Sequence, residues 1–389
     1  MSSINKKILL LQETYLPLIG GAEMHVYYLT KQLIERGCYI EIITGTPSNK
    51  IITDKNGEIC KIHRYQMSYG KKDFAKLPIW IIRLIFHARK FDLIHVHYSS
   101  FLAFISVLAG KLLRKRVVIT LHGFGTLDSS VGKSWLKRIY RYVSLNFANR
   151  IVATSQEMKH VALRYSSADK IVLIENGVDT NAFSSPPDRS FDRVTACIRL
   201  ATLRRLVPKN GVQFVIDALG TRKKQLSFFL KVVGDGRLMP IIQSKIKSND
   251  LMNSIDLLGS LAHNEVVKIL GQVDVVIFMS TAESTSLAAL ESMSMGCIVV
   301  CTNVGAFPDF VSDGQTGFII NIFEKGHSDY AAPKQLQNWQ YEALIDQLVE
   351  IQNRPPVELK RISDNAQKFV RENYDWKVIV GRIIADCYQ

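Results

Sequence analysis

The run "KILLLQ" at residues 7–12 sets four apolar residues side by side with no polar alternation. A strand of that kind is buried on both faces, the state of a parallel strand with helices above and below it. Helical periodicity follows in "GAEMHVYYLTKQLIERG", which stops at Gly37, and "YIEIITG" reads as a second strand. The alternation continues through "FDLIHVHY", the helix "FLAFISVLAGKLLRK", "RVVITLHG", the helix "SWLKRIYRYVSLNFA" and the strand "RIVATS". Strands alternating with helices imply βαβ units on a parallel sheet. Pro186, Pro187 and the serines around them break the pattern, which then restarts at "RVTACIRLATL" and runs to "CIVVCTNVG". The chain therefore reads as α/β, with two Rossmann-like domains in series at 1–185 and 190–371. A length of 389 residues fits two domains.

Several classes are disfavoured. No G-x-G-x-x-G fingerprint follows the first strand, where only Gly20-Gly21 stands, and "GDGRL" at 234–238 is a partial match. That argues against a nicotinamide or flavin enzyme. The six cysteines are scattered without a C-x-x-C pair, as expected of reduced, buried thiols. "MSSINKKILLLQE" is charged too early for a signal peptide, and "FLAFISVLAG" is too short to span a bilayer. The expectation is a cytoplasmic chain, peripheral at most to a membrane.

Net charge is +14, and between Asp92 and Glu157 the one acidic residue is Asp128. The same interval holds Lys111, Arg114, Lys115, Arg116, Lys133, Lys137, Arg138, Arg141 and Arg150. Such a face suits an anionic partner: nucleic acid, anionic lipid or a phosphate-bearing substrate. A generic solvated basic surface is the plain alternative. No aromatic RNA-binding motif accompanies the charge, so nucleic acid is not expected.

Ligands of open α/β sheets bind outside the carboxyl ends of the strands. "PLIGGAE", "ITLHG", "RRLVPKNG" and "STAESTSLAALE" all fall at such ends and are expected to converge on a cleft between the domains. In the last motif Glu283 and Glu291 flank the start of a helix, with seven residues between them. Ser284, Thr285 and Ser286 are good N-caps. The helix start offers free amides and a positive dipole end to an anion. Glu291 lies roughly 8–11 Å further along the axis at 1.5 Å per residue, so the two carboxylates can grip separated parts of one elongated ligand. Sugar hydroxyls are suitable donors to them. Arg204, Arg205 and Lys209 can hold a diphosphate without a metal. His122 ends a strand, where a lone histidine is more often structural. His95 and His97 share one face at period 2, but the sequence offers no third metal ligand near them.

Taken together these motifs resemble the retaining GT-B glycosyltransferases of family 4, the glycosyl transferases group 1. The resemblance spans nearly the whole chain, through "GGAE", "LIHVHY", "TLHG", "VATSQEM", "ENGVDTNAF", "RRLVPKNG", "VVGDGRL" and the Glu283/Glu291 pair followed by "GCIVVCTNVGAFPDFVSDGQTGFII". It implies two facing Rossmann-like domains, an N-terminal acceptor domain and a C-terminal nucleotide-sugar domain. The final segment, about 372–389, would cross back to the first domain. It implies transfer of a sugar from a nucleotide sugar to a glycan or lipid-linked acceptor, with retention and without a metal or other cofactor. In that pattern Glu291 holds the ribose, Glu283 the donor sugar, and Arg205 the leaving diphosphate, beside the amides of Ser286 and Leu287. His122 lies beside the sugar. Lys209, Thr285, Gly21 and Gly234 fall on the donor side, and Gly20, Glu23 and His97 on the acceptor side.

Two departures stand out. Asn210 occupies the place of the family's usual lysine, and Ser284 follows the first glutamate where glycine is common. Arg204 is the residue available to compensate for Asn210. The basic-aromatic helices around Trp80, Arg83, Arg89 and Lys90, and around Trp135, Tyr140 and Tyr142 with Lys137, Arg138 and Arg141, would suit an anionic membrane surface. Other readings are a different GT-B enzyme, such as a nucleotide-sugar epimerase, and a non-catalytic GT-B subunit.

Overall fold

The computed structural model describes residues 5–18, 20–46, 60–65, 77–98, 101–122, 135–186, 189–221, 225–283, 286–324, 327, 329 and 332–389. Ser284, Thr285 and Lys133, and the side chains of Trp80, Trp135 and Lys137, lie outside the described residues. The chain divides into two units, Met1–Gly177 with Trp376–Gln389, and Val178–Asp375.

The first unit carries a seven-stranded parallel sheet in the order β3-β2-β1-β4-β5-β6-β7. Its strands are β1 (Lys7–Gln12), β2 (Tyr39–Thr44), β3 (Lys61–Arg64), β4 (Leu93–His97), β5 (Arg116–Leu121), β6 (Arg150–Ala153) and β7 (Ile171–Leu173). Helices α1 (Gly21–Glu35), α2 (Leu77–Ala88), α3 (Phe101–Leu113), α4 (Trp135–Phe147) and α5 (Gln156–Ala162) alternate with them. The apolar run of β1 does what its pattern requires: Leu9 and Leu11 enter the core on one face, and Ile8 and Leu10 enter the core on the other. β3 carries no strand signal of its own and adds to the sheet edge through its pairing with β2.

The second unit has a six-stranded parallel sheet in the order β10-β9-β8-β11-β12-β13. These strands are β8 (Ile198–Leu203), β9 (Phe228–Val233), β10 (Ile255–Gly259), β11 (Val275–Phe278), β12 (Ile298–Thr302) and β13 (Phe318–Ile320). Its helices are α6 (Val212–Thr221), α7 (Met239–Ser248), α8 (His263–Gln272), α9 (Leu287–Ser294), α10 (Phe307–Phe310), α11 (Asn338–Asn353) and α12 (Pro356–Asn373). In β11 and β12, alternate residues again feed opposite cores.

The last helix, α13 (Trp376–Ile383), belongs to the first unit and packs with α1, where Trp376, Ile379, Val380 and Ile383 join Val26, Leu29 and Leu33. The boundaries fall at 177 and 375, not at 185 and 371. The amide of Val178 donates to the Tyr374 carbonyl at 2.7 Å, Thr180 bonds the Asp375 carboxylate, and Phe183 is buried in the second core. The turn residues at 184–187 thus come after the crossover and not at it. Gly177 is required there, since a Cβ would meet the Trp376 ring at 2.7 Å.

Candidate active site

In the second unit the strand ends gather the charged motif residues. β8 delivers Arg204 and Arg205, followed by a short turn at Pro208–Asn210 and then α6. β11 delivers Ser280, Thr281 and Glu283, followed by α9. Ser286 caps α9, its Oγ accepting from the Ala289 amide at 3.3 Å. The turn is pinned to the end of β11 by the Thr281 amide, which donates to the Lys209 carbonyl at 2.9 Å.

Arg204 is the hub. Its guanidinium forms an ion pair with Glu283 and reaches Ser280 Oγ at 3.0 Å. It also reaches Ser286 Oγ and Asn210 Oδ1, each at 3.3 Å, and lies over the Phe278 ring. Burial, followed by neighbouring Arg205, lowers its pKa to about 10, so it remains a cation at neutral pH. Asn210 Nδ2 donates to the Arg205 carbonyl at 2.8 Å. Asn210 therefore orients the double-arginine turn, and Arg204 supplies the buried cation beside it. Arg205 is exposed, and its guanidinium has no partner among the described residues.

Glu283 is 4% exposed. Its backbone lies close under Gly305, where a Cβ would stand 1.7 Å from the Glu283 carbonyl oxygen. Glu291 sits in the second turn of α9, partly buried, its carboxylate without a partner among the described residues. Burial pushes its pKa up to about 7. Gly234 ends β9 at φ +135°, its Cα facing the Arg204 carbonyl so closely that a Cβ would lie 1.9 Å away. Leu287 is half-buried at the first turn of α9.

In the first unit, α1 begins at Gly20-Gly21 just past β1. Glu23 in its first turn is 9% exposed, and Thr14 donates to its Oε1 at 2.5 Å. A Cβ at Gly20 would collide with Glu23 Oε2. β4 ends on His97, and His122 follows β5. Both are buried, with His97 Nδ1 3.0 Å from His122 Nε2. His95 is accounted for structurally by Tyr388 Oη and Thr120 Oγ1, each at 2.7 Å. Sequence reasoning missed His25. The apolar stripe of α1 carries it inward with Ala22, Val26 and Leu29, to ring separations of 4.7 Å from His122 and 5.4 Å from His97. The signal was present in "GAEMHVYYL", where His25 keeps helical register with those apolar residues.

The comparisons decide the family. The pattern described as Glycosyltransferase Family 4 matches residues 19–182, and that of Glycosyl transferases group 1 matches residues 198–331. The chain belongs to the family 4, group 1 glycosyltransferases. It is 29% identical over 319 residues to one component of human phosphatidylinositol N-acetylglucosaminyltransferase, covering 79% of this chain and 64% of that protein. N-acetyl-alpha-D-glucosaminyl L-malate synthase of Bacillus anthracis is 24% identical over 79% of this chain and 82% of its own length. Among solved structures, HepE of Anabaena in complex with UDP and glucose matches with a TM-score of 0.75 at 21% identity, over 98% of this chain and 99% of that one. Sucrose-phosphate synthase of Thermosynechococcus elongatus matches at 0.73 and 18%, over 97% of each chain. This chain thus has the GT-B fold of those glycosyltransferases.

Proposed function

We propose that this chain moves a sugar from a nucleotide-diphosphate sugar to a glycan or lipid-linked acceptor, with retention of configuration, in surface polysaccharide assembly. The observation that carries the reading is the buried Arg204 cation set against Ser286, the cap of α9, with Glu283 beside it. A helix start and a buried guanidinium together make an anion site. UDP in the HepE complex and the phosphatidylinositol in the human relative's name support a nucleotide donor and a lipid-linked acceptor.

In this reading Glu291 accepts the ribose hydroxyls and Glu283 those of the donor sugar. Arg204, Arg205, Lys209 and the amides at Ser286 and Leu287 hold the diphosphate, with Thr285 and Gly234 beside them. These cations and amides replace the charge a divalent metal would supply there, placed where negative charge develops. The acceptor oxygen bonds to the anomeric carbon on the face the diphosphate leaves, and its proton passes to the departing phosphate oxygen. His122 and Gly21 are read as groups near the sugar, and Gly20, Glu23 and His97 as acceptor-side groups.

The test is thermal stabilisation by UDP, GDP, ADP, CMP and dTDP, on the natural chain and on Glu291→Ala. A nucleotide at 100 times its dissociation constant adds about 2.7 kcal/mol. One nucleotide stabilising the natural chain alone is expected. No response to any nucleotide, with or without magnesium, would favour a non-catalytic role within a larger complex. Release of free sugar at catalytic speed without acceptor would favour an epimerase-type enzyme.

An anionic membrane surface is the second partner in this proposal. Ile79, Ile82 and Phe86 on α2, Leu108 and Leu112 on α3, and Ile139, Tyr142 and Phe147 on α4 are exposed. α3 packs against both neighbouring helices, and Arg83, Arg89, Lys90, Lys111, Arg114 and Arg138 are exposed among them. Apolar and basic groups mixed on one run of helices favour lipid headgroups. Two residues expected on this surface are elsewhere. Arg141 is buried over the Tyr165 ring, and Tyr140 packs against Phe101 and Phe104, because the opposite side of α4 faces α3. Among the described residues no helix is long and apolar enough to cross a membrane.

A further inference from the structure

We propose that His25, His97 and His122 hold one divalent transition metal of the zinc class. They come from α1, the end of β4 and the residue after β5, and their ligand atoms all lie within 4.8 Å of one another. Nitrogens of a tetrahedral zinc site with bonds of about 2.0–2.1 Å stand roughly 3.3 Å apart, so small ring rotations close the set. His97 Nδ1 and His122 Nε2 are already 3.0 Å apart.

Second, buried polar atoms around this point have no partner among the described residues. His25 is 0% exposed, and its Nε2 finds no hydrogen-bond partner among the described residues. Both polar atoms of the Gln12 side chain are likewise buried and unmatched. Gln12 is paired in register with His97 across β1 and β4, so it stands beside the cluster. Unsatisfied buried groups cost about 1–3 kcal/mol each, and several at one point imply a common partner.

The surroundings have the form a metal site needs. His25 Nδ1 lies 2.7 Å from Asn176 Oδ1. With the proton held there, Nε2 keeps the lone pair that faces the cluster, the arrangement that orients metal-bound histidines. Burial keeps the imidazoles neutral, with His25 lowered to about 4 and His97 and His122 well below the ordinary range. Neutral imidazole is the ligating form. A set with nitrogen donors and no carboxylate suits zinc, cobalt or nickel and excludes magnesium and calcium. The site is buried, with His122 at 8% exposure, so its role is to pin α1 to the strand ends. For His97 and His122 this structural role replaces the acceptor-side and sugar-side places read above, and its readout is metal content, not turnover.

The experiment uses the full chain without a polyhistidine tag, stripped with chelator, reloaded with Zn2+ or Co2+ and freed of excess. About one equivalent per chain is expected, with X-ray absorption showing three imidazoles near 2.0–2.1 Å and a tetrahedral Co2+ spectrum. His25→Gln should lose the bound metal and His63→Gln should keep it. His63 serves as the control because Glu41, His63 and His87 form a second close group, with His63 Nε2 2.6 Å from Glu41 Oε2. Failure of the natural chain to retain metal overturns the proposal. So does a spectrum of two imidazoles with a carboxylate, or loss in His63→Gln alone. Should His25→Gln not fold, the absorption spectrum of the natural chain still decides.

Discussion

Arg204 and Glu283 form a buried ion pair between the ends of β8 and β11, at 9% and 5% side-chain exposure. The carboxylate proposed to hold the donor sugar is thus engaged by a cation proposed to hold the donor diphosphate. A diphosphate arriving at Arg204 would release Glu283 toward the sugar hydroxyls. Breaking a buried pair by removing one member costs about 3–5 kcal/mol, because the other charge is left unpaired. Glu283→Gln should therefore lower stability, and a nucleoside diphosphate should restore more of it than it adds to the natural chain. Sugar transfer should fall in the same variant. Thermal shifts with and without nucleotide check this, and an equal or smaller nucleotide shift in Glu283→Gln would end the idea of competition for Arg204.

Arg205 offers an exposed guanidinium next to that pair. Loss of one preorganised donor to a developing anion costs about 3–4 kcal/mol of barrier. Arg205→Met should lower kcat by a factor of about 10^2 to 10^3 with little change in Tm. An unchanged kcat would remove Arg205 from the proposed machinery.

Glu291 gives a pH signature. Its pKa is raised to about 7, so the folded chain holds this proton more tightly than the unfolded chain does. That favourable term is present at low pH and is lost as pH rises toward 7. Above pH 7 the ionised carboxylate is destabilising by an amount on the order of 1–3 kcal/mol. Glu291→Gln should therefore raise Tm at pH 8 and change it little at pH 4. An ionised carboxylate is the better acceptor for ribose hydroxyls. Nucleotide affinity should rise through pH 7 in the natural chain and stay flat in Glu291→Gln. Calorimetric titrations between pH 5.5 and 8.5 test both halves.

Gly305 and Gly259 both have positive φ, at +57° and +66°. Among the described residues nothing stands within 4 Å of a Cβ at Gly259, whereas one at Gly305 meets the Glu283 backbone. Gly259→Ala should cost about 1–2 kcal/mol from the left-handed backbone alone. Gly305→Ala should cost more and should also abolish transfer, because the Glu283 loop must move. Urea denaturation of both variants measures the difference.

The α2–α4 surface should bind vesicles of anionic lipid at low salt and release them as salt rises. Reversing Arg83, Arg89 and Lys90 to glutamate together should abolish that binding while leaving nucleotide stabilisation intact. Equal binding to neutral vesicles, or none to anionic ones, would count against the membrane partner.

Much of this was legible in residue order. Unbroken apolar runs such as the "ILLL" of β1 and "VVIF" of β11 announce a sheet covered on both sides, and the charged motifs fall at strand ends because parallel topology puts them there. The sequence was silent where contacts are made by residues far apart. The role of Arg204 depends on its meeting Glu283, 79 positions later. His25 joined the histidines of β4 and β5 only once α1 had turned it inward. β3 has no pattern of its own, and the crossover at Gly177 was hidden by the more conspicuous prolines that follow it at 186 and 187.

The return of α13 to the first unit bears on how the chain is made. Cys387 and Tyr388 are buried with Ile8 and Leu10, and Lys6 bonds the Tyr388 carbonyl. A ribosome delivers residues 376–388 after the whole of the second unit. The second unit has all its own residues while the first still lacks a wall, so during synthesis the earlier-made half must wait for the later one.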